Sequence, residues 1–391
     1  MKHLLKILIG SCMIVALVAF FPRTAAASGM ASNILLGATA SSEDNVWAVG
    51  ESLNGVGTQT LIEHWNGSKW KVVPSPNPAG AQSNVFEGVA AVSEDDAWAV
   101  GAFTPQGGST QTLIERWNGS KWKIVPSPNP AGAISSFLNS VSVVSEDDAW
   151  AVGVTQDSSG VHTLIEHLDH DTWVIVNSPS PGPLSNFLQG VSAVSEDDVW
   201  AVGDFFDSSN AELTLIEHWD GSTWTVVPSS TPVNGVLNGV AAVSKTSVWA
   251  IGNVIESNGT AETLTERWNG TTWNVVTSPN PVGNQFSTFK AVTVAAKKNV
   301  WAVGEYRDSA GSTLTLTEHW NGSAWSIISS PNPAGATISA LQGVAAVPHE
   351  ADDEDGGVWA VGGDTLLNGT SFTLIEHWNG VKWRIVPSPT P

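Results

Sequence analysis

The chemistry-bearing residues of this chain recur as a dyad. Glutamate is followed at once by histidine or arginine seven times: Glu63-His64, Glu115-Arg116, Glu166-His167, Glu217-His218, Glu266-Arg267, Glu318-His319 and Glu376-His377. A carboxyl beside a base can pair as ions, offer hydrogen bonds to a sugar hydroxyl, or share a proton in acid–base work. In an extended strand adjacent side chains leave on opposite faces, so the two members of a dyad face different neighbours. The expectation is that each acid meets the base of the adjacent repeat within salt-bridge reach, because groups at that depth need partners. The functional alternative is a set of repeated sugar sites, with tryptophan as platform and the glutamate and its base as hydrogen-bonding groups.

The elements that must position these dyads belong to one repeat. The phrase Val46-Trp47-Ala48-Val49-Gly50 returns around Trp98, Trp150, Trp200, Trp249, Trp301 and Trp359, at intervals of 51, 52, 50, 49, 52 and 58 residues. A period near fifty indicates a propeller or a solenoid. In the second repeat, Val85 to Ser93, Ala97 to Gly101, Thr112 to Trp117 and Ser120 to Val125 are short apolar runs separated by turn signals, which makes four strands, a to d. Asn118-Gly119 between the last two predicts a tight c–d hairpin with both central residues at positive φ. Pro126-Ser127-Pro128-Asn129-Pro130 stops strand d, since proline cannot donate to a ladder.

An open solenoid needs polar capping repeats at its ends, and here the first and last repeats are as apolar as the rest. The pattern therefore predicts an all-β, seven-bladed β-propeller of four-stranded antiparallel meanders. Its blades fall at about 33–82, 83–134, 135–185, 186–235, 236–286, 287–338 and 339–391. All twenty tryptophans sit on this lattice. Seven stand in strand b (Trp47, Trp98, Trp150, Trp200, Trp249, Trp301, Trp359), seven open strand d, and six close strand c, with Leu168 in the remaining place. Such regularity marks blade packing.

Ahead of the repeats, Lys2 and Lys6 precede the apolar run Ile7 to Phe21, and Ala25-Ala26-Ala27 supplies small residues for cleavage. Residues 1–27 read as a secretory signal peptide, the run being shorter than the ~20 residues of a membrane span. Cys12 stands inside that run rather than at its end, which argues against a lipid anchor, and cleavage after Ala27 leaves no cysteine for a disulfide. The formal net charge is −21, and removal of three of the sixteen basic residues, Lys2, Lys6 and Arg23, takes the mature chain to 13 − 37 = −24. Nucleic acid and insertion into acidic membranes are excluded as partners on that ground.

Local irregularities are candidates for chemistry of their own. His167, Asp169, His170 and Asp171 crowd the third c–d turn, where a weak ion competes with an ordinary degenerate turn; His162 lies too far along the strand to join them. His349-Glu350-Ala351-Asp352-Asp353-Glu354-Asp355 expands the seventh a–b turn but lacks the ligand alternation of a calcium loop. The a–b turns are acidic in the first four repeats. In the fifth and sixth they become Ser244-Lys245-Thr246-Ser247 and Ala296-Lys297-Lys298-Asn299. Asn-Gly-Ser/Thr tripeptides such as Asn66 and Asn118 match the glycosylation acceptor but stand where the hairpin calls for Asn-Gly anyway.

The succession Gly88-Val89-Ala90-Ala91-Val92, an aromatic strand b ending in glycine, and Trp122 opening strand d resembles the kelch repeat. It is more closely similar to tryptophan-rich bacterial secreted propellers built from WAVG and HWNG phrases. The Gly pair that kelch carries after strand b survives only at Gly362-Gly363. The resemblance implies architecture, with strand a nearest the axis, and little about ligands; from the residues, no cofactor, catalytic residue or metal is expected. Enzyme readings find little support: a sialidase-like site needs an arginine cluster, and galactose-oxidase chemistry needs a cysteine-linked tyrosine, whereas the chain has one tyrosine, Tyr306. The reading is a secreted, monomeric binding module for a protein or an extracellular glycan, with its ligand on the b–c and d–a loops or the axial mouth. Its rival is an extracellular carbohydrate-active enzyme or multivalent lectin.

Overall fold

The computed structural model describes residues 32–53, 55, 57–230, 234–348 and 357–389. The leader and the acidic expansion 349–356 lie outside the described residues. Twenty-eight strands follow one another as seven four-stranded blades. Blade 1 consists of strand a Ser32–Ser42, b Asn45–Leu53, c Thr58–Trp65 and d Trp70–Val72, each antiparallel to the next. Blade 2 comprises Ala81–Ala91, Ala97–Pro105, Gln111–Trp117 and Trp122–Val125; blade 5 comprises Gly235–Ser244, Ser247–Ile255, Ala261–Trp268 and Trp273–Val275. Among the described residues no helix is long and apolar enough to cross a membrane.

The recurring phrase of strand b has a physical reading at every position. Trp47 and Val49 pack with Ile62 against Phe86, Leu113 and Trp122 of the following blade, while Val46 and Ala48 face the preceding one. Trp47 lies 4.9 Å from Trp117 and meets Trp122 edge-on at 5.2 Å. Such pairs add about 0.5–1.5 kcal/mol each beyond the area they bury. Gly50 stands opposite a register shift in strand a, where a Cβ would fall 2.0 Å from the Ile34 carbonyl oxygen. No other residue fits there, and all seven copies keep the glycine.

The ring closes without exchanging a strand. Ser32 bridges Ser371 in parallel, the same contact that joins Ile338 to Thr313 between blades 6 and 7. Trp359 of blade 7 packs on Trp65 and Trp70 of blade 1 at 4.9 and 5.3 Å. Near the axis strands a of successive blades touch: a Cβ on Gly343 would lie 2.9 Å from Ala38 N, and Thr39 Oγ1 accepts from Ala91 N. The last blade therefore meets the first as any blade meets its neighbour.

The c–d turns differ from the expected two-residue hairpin. Trp65 pairs with Trp70, leaving a four-residue loop 66–69 in which only Gly67 has positive φ, at 80°. Asn66 serves through its side chain: Oδ1 accepts from Ser68 N at 3.3 Å and Lys69 N at 3.2 Å, an Asx turn. The tight turn occurs instead in blade 3, where Asp169 pairs with Thr172 and His170 takes φ 59°.

Candidate functional site

The seven glutamates of strand c are wholly buried, at 0% exposure, each on the face toward the preceding blade. The expected pairing with that blade's base is replaced by another contact. Glu63 accepts from Ser388 Oγ at 2.9 and 2.8 Å, Glu115 from Ser75 at 3.2 and 3.1 Å, and Glu166 from Ser127 at 3.2 and 3.0 Å. Glu376 accepts from Ser330 at 2.7 Å and Glu266 from Ser229 at 2.7 Å. Among the described residues neither carboxyl oxygen of Glu217 or Glu318 has a hydrogen-bond partner. Burial raises the carboxyls of Glu115, Glu166, Glu217 and Glu376 from 4.5 to about 8, Glu63 to about 7 and Glu318 to about 9; the serine bond, where present, acts the other way. Near neutral pH most of this ring is protonated, which is how carboxyls survive burial without cations.

The bases turn to their own blade. His64 lies on Trp47 at 4.1 Å and donates from Nε2 to Asn45 Oδ1 at 2.6 Å. His167, His218 and His319 repeat this with Asp148, Asp198 and Asn299, each at 2.9 Å. Arg116 makes a fork to Asp96, with Nε and Nη2 both at 2.8 Å. Among the described residues Arg267 donates only to the Ser247 hydroxyl, at 3.3 and 3.1 Å. His377 covers Trp359 at 4.2 Å, and a Cβ on Gly357 would come 2.8 Å from its Nε2. The physical reason is one of level. The glutamate lies at the depth of the proline-rich connection, whose serine also bonds Thr60 in strand c, while the base lies against the tryptophan layer and the first residue of strand b.

The serines are the residues that the dyad argument overlooks. Each stands twelve positions after its glutamate in the repeat, at Ser75, Ser127, Ser178, Ser229, Ser278, Ser330 and Ser388. That constant spacing is the signal, but the bond runs to the glutamate of the following blade, and it is made by five of the serines: Ser178 and Ser278 bond Thr163 and Thr263 of their own strand c instead. The connection also carries Asn77, whose Oδ1 accepts from Thr60 N at 3.1 Å, so the Pro-Ser-Pro-Asn-Pro phrase ties strand c of one blade to strand c of the next.

Among the described residues no group of three or more His, Cys, Asp and Glu side chains is placed to hold a metal ion. In the third c–d turn His167 goes to Asp148 and His170 Nδ1 to Asp169 at 2.7 Å. Two concavities are lined by side chains of interest. One, about 220 Å³, lies beneath the b–c and d–a loops of blades 1 and 2, lined by Pro78, Phe103, Leu113, Ile124 and Pro126. The other, about 390 Å³, opens on the opposite face, at Thr246, Arg267, Asn269, Asn274 and Val276 of blade 5.

No family model matches the chain, and no curated protein matches it. Among solved structures, an ulvan lyase is 9% identical with a TM-score of 0.55, over 93% of this chain and 99% of that one. A lectin from Burkholderia pseudomallei is 14% identical with a TM-score of 0.54, over 91% and 98%. The β-propeller domain of the trilobed protease from Pyrococcus furiosus, described as having an open velcro topology, is 10% identical with a TM-score of 0.53, over 93% and 100%. By fold this chain is a β-propeller. At such identities the propeller likeness extends to architecture alone.

Proposed function

We propose that the protein is a secreted, non-catalytic binding module whose ligand is a protein or a surface glycan. The observation that carries this reading is the fate of the repeated chemistry. All seven glutamates are enclosed between blades, so the repeated carboxyls serve as structure. A partner meets the non-repeating loops of a rigid ring, which is where binding resides on such scaffolds. Secretion follows from the leader read in residues 1–27, and the kelch-like, tryptophan-rich assignment belongs to the same proposal, supported by the decoded WAVG phrase. A glycan array combined with a hydrolysis screen on the mature protein tests it: binding without turnover is expected, and turnover would overturn it.

One observation favours the rival reading, a carbohydrate-active enzyme. Asp204 is buried, its Oδ2 has no hydrogen-bond partner among the described residues, and burial together with the nearby Glu212 holds its carboxyl well above the usual range. Paired carboxyls suit glycoside hydrolysis. Both are enclosed, at 1% and 7% exposure, so substrate access favours the binding module.

A further inference from the structure

The cavity on blade 5 combines three departures from the repeat. The first is a missing acid. Two residues before the strand b tryptophan, where Arg116 has Asp96, Arg267 has Ser247, and one hydroxyl oxygen receives both Nε–H and Nη2–H. A neutral hydroxyl is a poor substitute for the two oxygens of a carboxylate, which match the guanidinium fork. The second is charge. The a–b and c–d turns of blades 5 and 6, residues 244–247, 269–272, 296–299 and 321–324, hold Lys245, Lys297 and Lys298 and no carboxylate. The corresponding a–b turns of blades 1 to 4 carry Glu43-Asp44, Glu94-Asp95, Glu146-Asp147 and Glu196-Asp197. The third is space. In blades 1, 2 and 4 an aspartate of the a–b turn lies over the c–d glycine, as Asp95 does at Gly119; in blade 5 the shorter, uncharged Thr246 lies over Gly270.

The guanidinium is already oriented. It rests 5.2 Å from the Trp249 ring centre and 6.0 Å from Trp320 of blade 6, so little rotamer freedom remains to be lost on binding. Around it the wall is amide and hydroxyl. Asn274 Nδ2 is engaged by the Thr272 carbonyl at 3.0 Å, leaving Oδ1 as an acceptor, and Thr246 is exposed with its hydroxyl. The volume falls within the ~300–1,000 Å³ of small-molecule sites.

We propose that this cavity binds a carboxylated saccharide, with Arg267 forking the carboxylate and Asn274 and Thr246 meeting ring hydroxyls, while Asn269 holds the c–d turn through its own side chain. The assignment rests on the binding-module reading and gives it a site, on the face opposite the longer b–c loops. A sugar is favoured over an acidic peptide because the wall offers side-chain amides and a hydroxyl with Val276 as its one apolar member, rather than an apolar anchor pocket.

The test uses the mature protein and a short oligogalacturonate, titrated by calorimetry or NMR, beside its methyl ester and a hexaglutamate peptide. Arg267→His installs the residue that five other blades carry, and Ser247→Asp rebuilds the blade 2 arrangement. The oligogalacturonate is expected to bind the parent protein, with roughly tenfold or greater weakening in its methyl ester and in either variant, from loss of a charged hydrogen-bond pair. Arg116→His is expected to bind as the parent does. Equal binding by both variants, or tighter binding of hexaglutamate, overturns the site while leaving the module reading intact. Silence toward uronates with an array hit elsewhere does the same, and silence toward every glycan and protein tried overturns both.

Discussion

Arg116 and Arg267 occupy the same place in strand c three blades apart, each over the strand b tryptophan of its own blade, at 4.9 and 5.2 Å. Around Arg116 the ionisable pair at the interface between blades 2 and 3 is partnered: the guanidinium has Asp96, and Glu166 has Ser127. Around Arg267 the interface between blades 5 and 6 is stripped. Serine replaces the aspartate, and Glu318 has no hydrogen-bond partner among the described residues. Yet the apolar layers correspond, with Trp98, Leu138, Leu164 and Trp173 in one and Trp249, Phe289, Leu316 and Trp325 in the other. Indole packing sustains an interface whichever polar groups accompany it, so the base and its partner are free to change, and a site can arise there without loosening the ring.

The strongest test of that equivalence removes the shared part. Trp98→Ala and Trp249→Ala are each expected to cost about 3–5 kcal/mol in denaturant unfolding, and to agree with each other within about 1 kcal/mol. A much cheaper loss at blade 2 would mean that its polar pairs, rather than the indoles, hold it.

Next in size is pH. Glu166 and Glu318 titrate near about 8 and about 9 in the fold, against 4.5 when free. Between those values the folded chain keeps protons that the unfolded chain releases, so stability falls as pH rises from about 4.5 through about 8 to 9. Burial lowers His319 and His377 and, with Lys71 beside it, takes His64 to about 4; these oppose folding as pH falls below 6.5, and the optimum belongs where the two opposing slopes overlap, between about 4.5 and about 6.5. Glu318→Gln should recover on the order of 1–3 kcal/mol at about pH 8, and Glu166→Gln less. Urea midpoints that climb from about pH 5.5 to about pH 8 would contradict this.

Smaller effects separate the arginines themselves. Asp96→Ala strands a half-buried guanidinium and should cost about 1–2 kcal/mol, whereas Ser247→Ala should cost less than about 1. Smallest of all, Ser247→Asp should add a few tenths to about 1 kcal/mol by copying blade 2. Thermal melts of the three variants side by side measure the order, and a Ser247→Ala loss as large as that of Asp96→Ala would erase the contrast.

The strands, their succession and the tryptophan lattice were legible because each is set within one repeat, by period, by turn residues and by the two-residue alternation of side chains. The opposite-facing dyads follow from that alternation too, and Glu63 and His64 do face different neighbours. What each meets was not legible. Ser75 and Glu115 are forty positions apart and belong to different blades, and nothing local states which levels of two tilted sheets come into contact. The c–d turn misled for a related reason: Asn-Gly is shared by a two-residue hairpin and an Asx-capped loop of four, and the Trp65–Trp70 pair selects the latter.

Taken alone, the amino-acid order determined seven equivalent sheets, their apolar faces and the recurring glycine of strand b, since these depend on neighbours along the chain. The tertiary structure decided that burial raises six of the seven carboxyls, that serine holds five of the seven, and that Arg267 stands beside a cavity without an acid. Partner, burial and open space are properties of two blades in contact, and they exist only once the ring has closed.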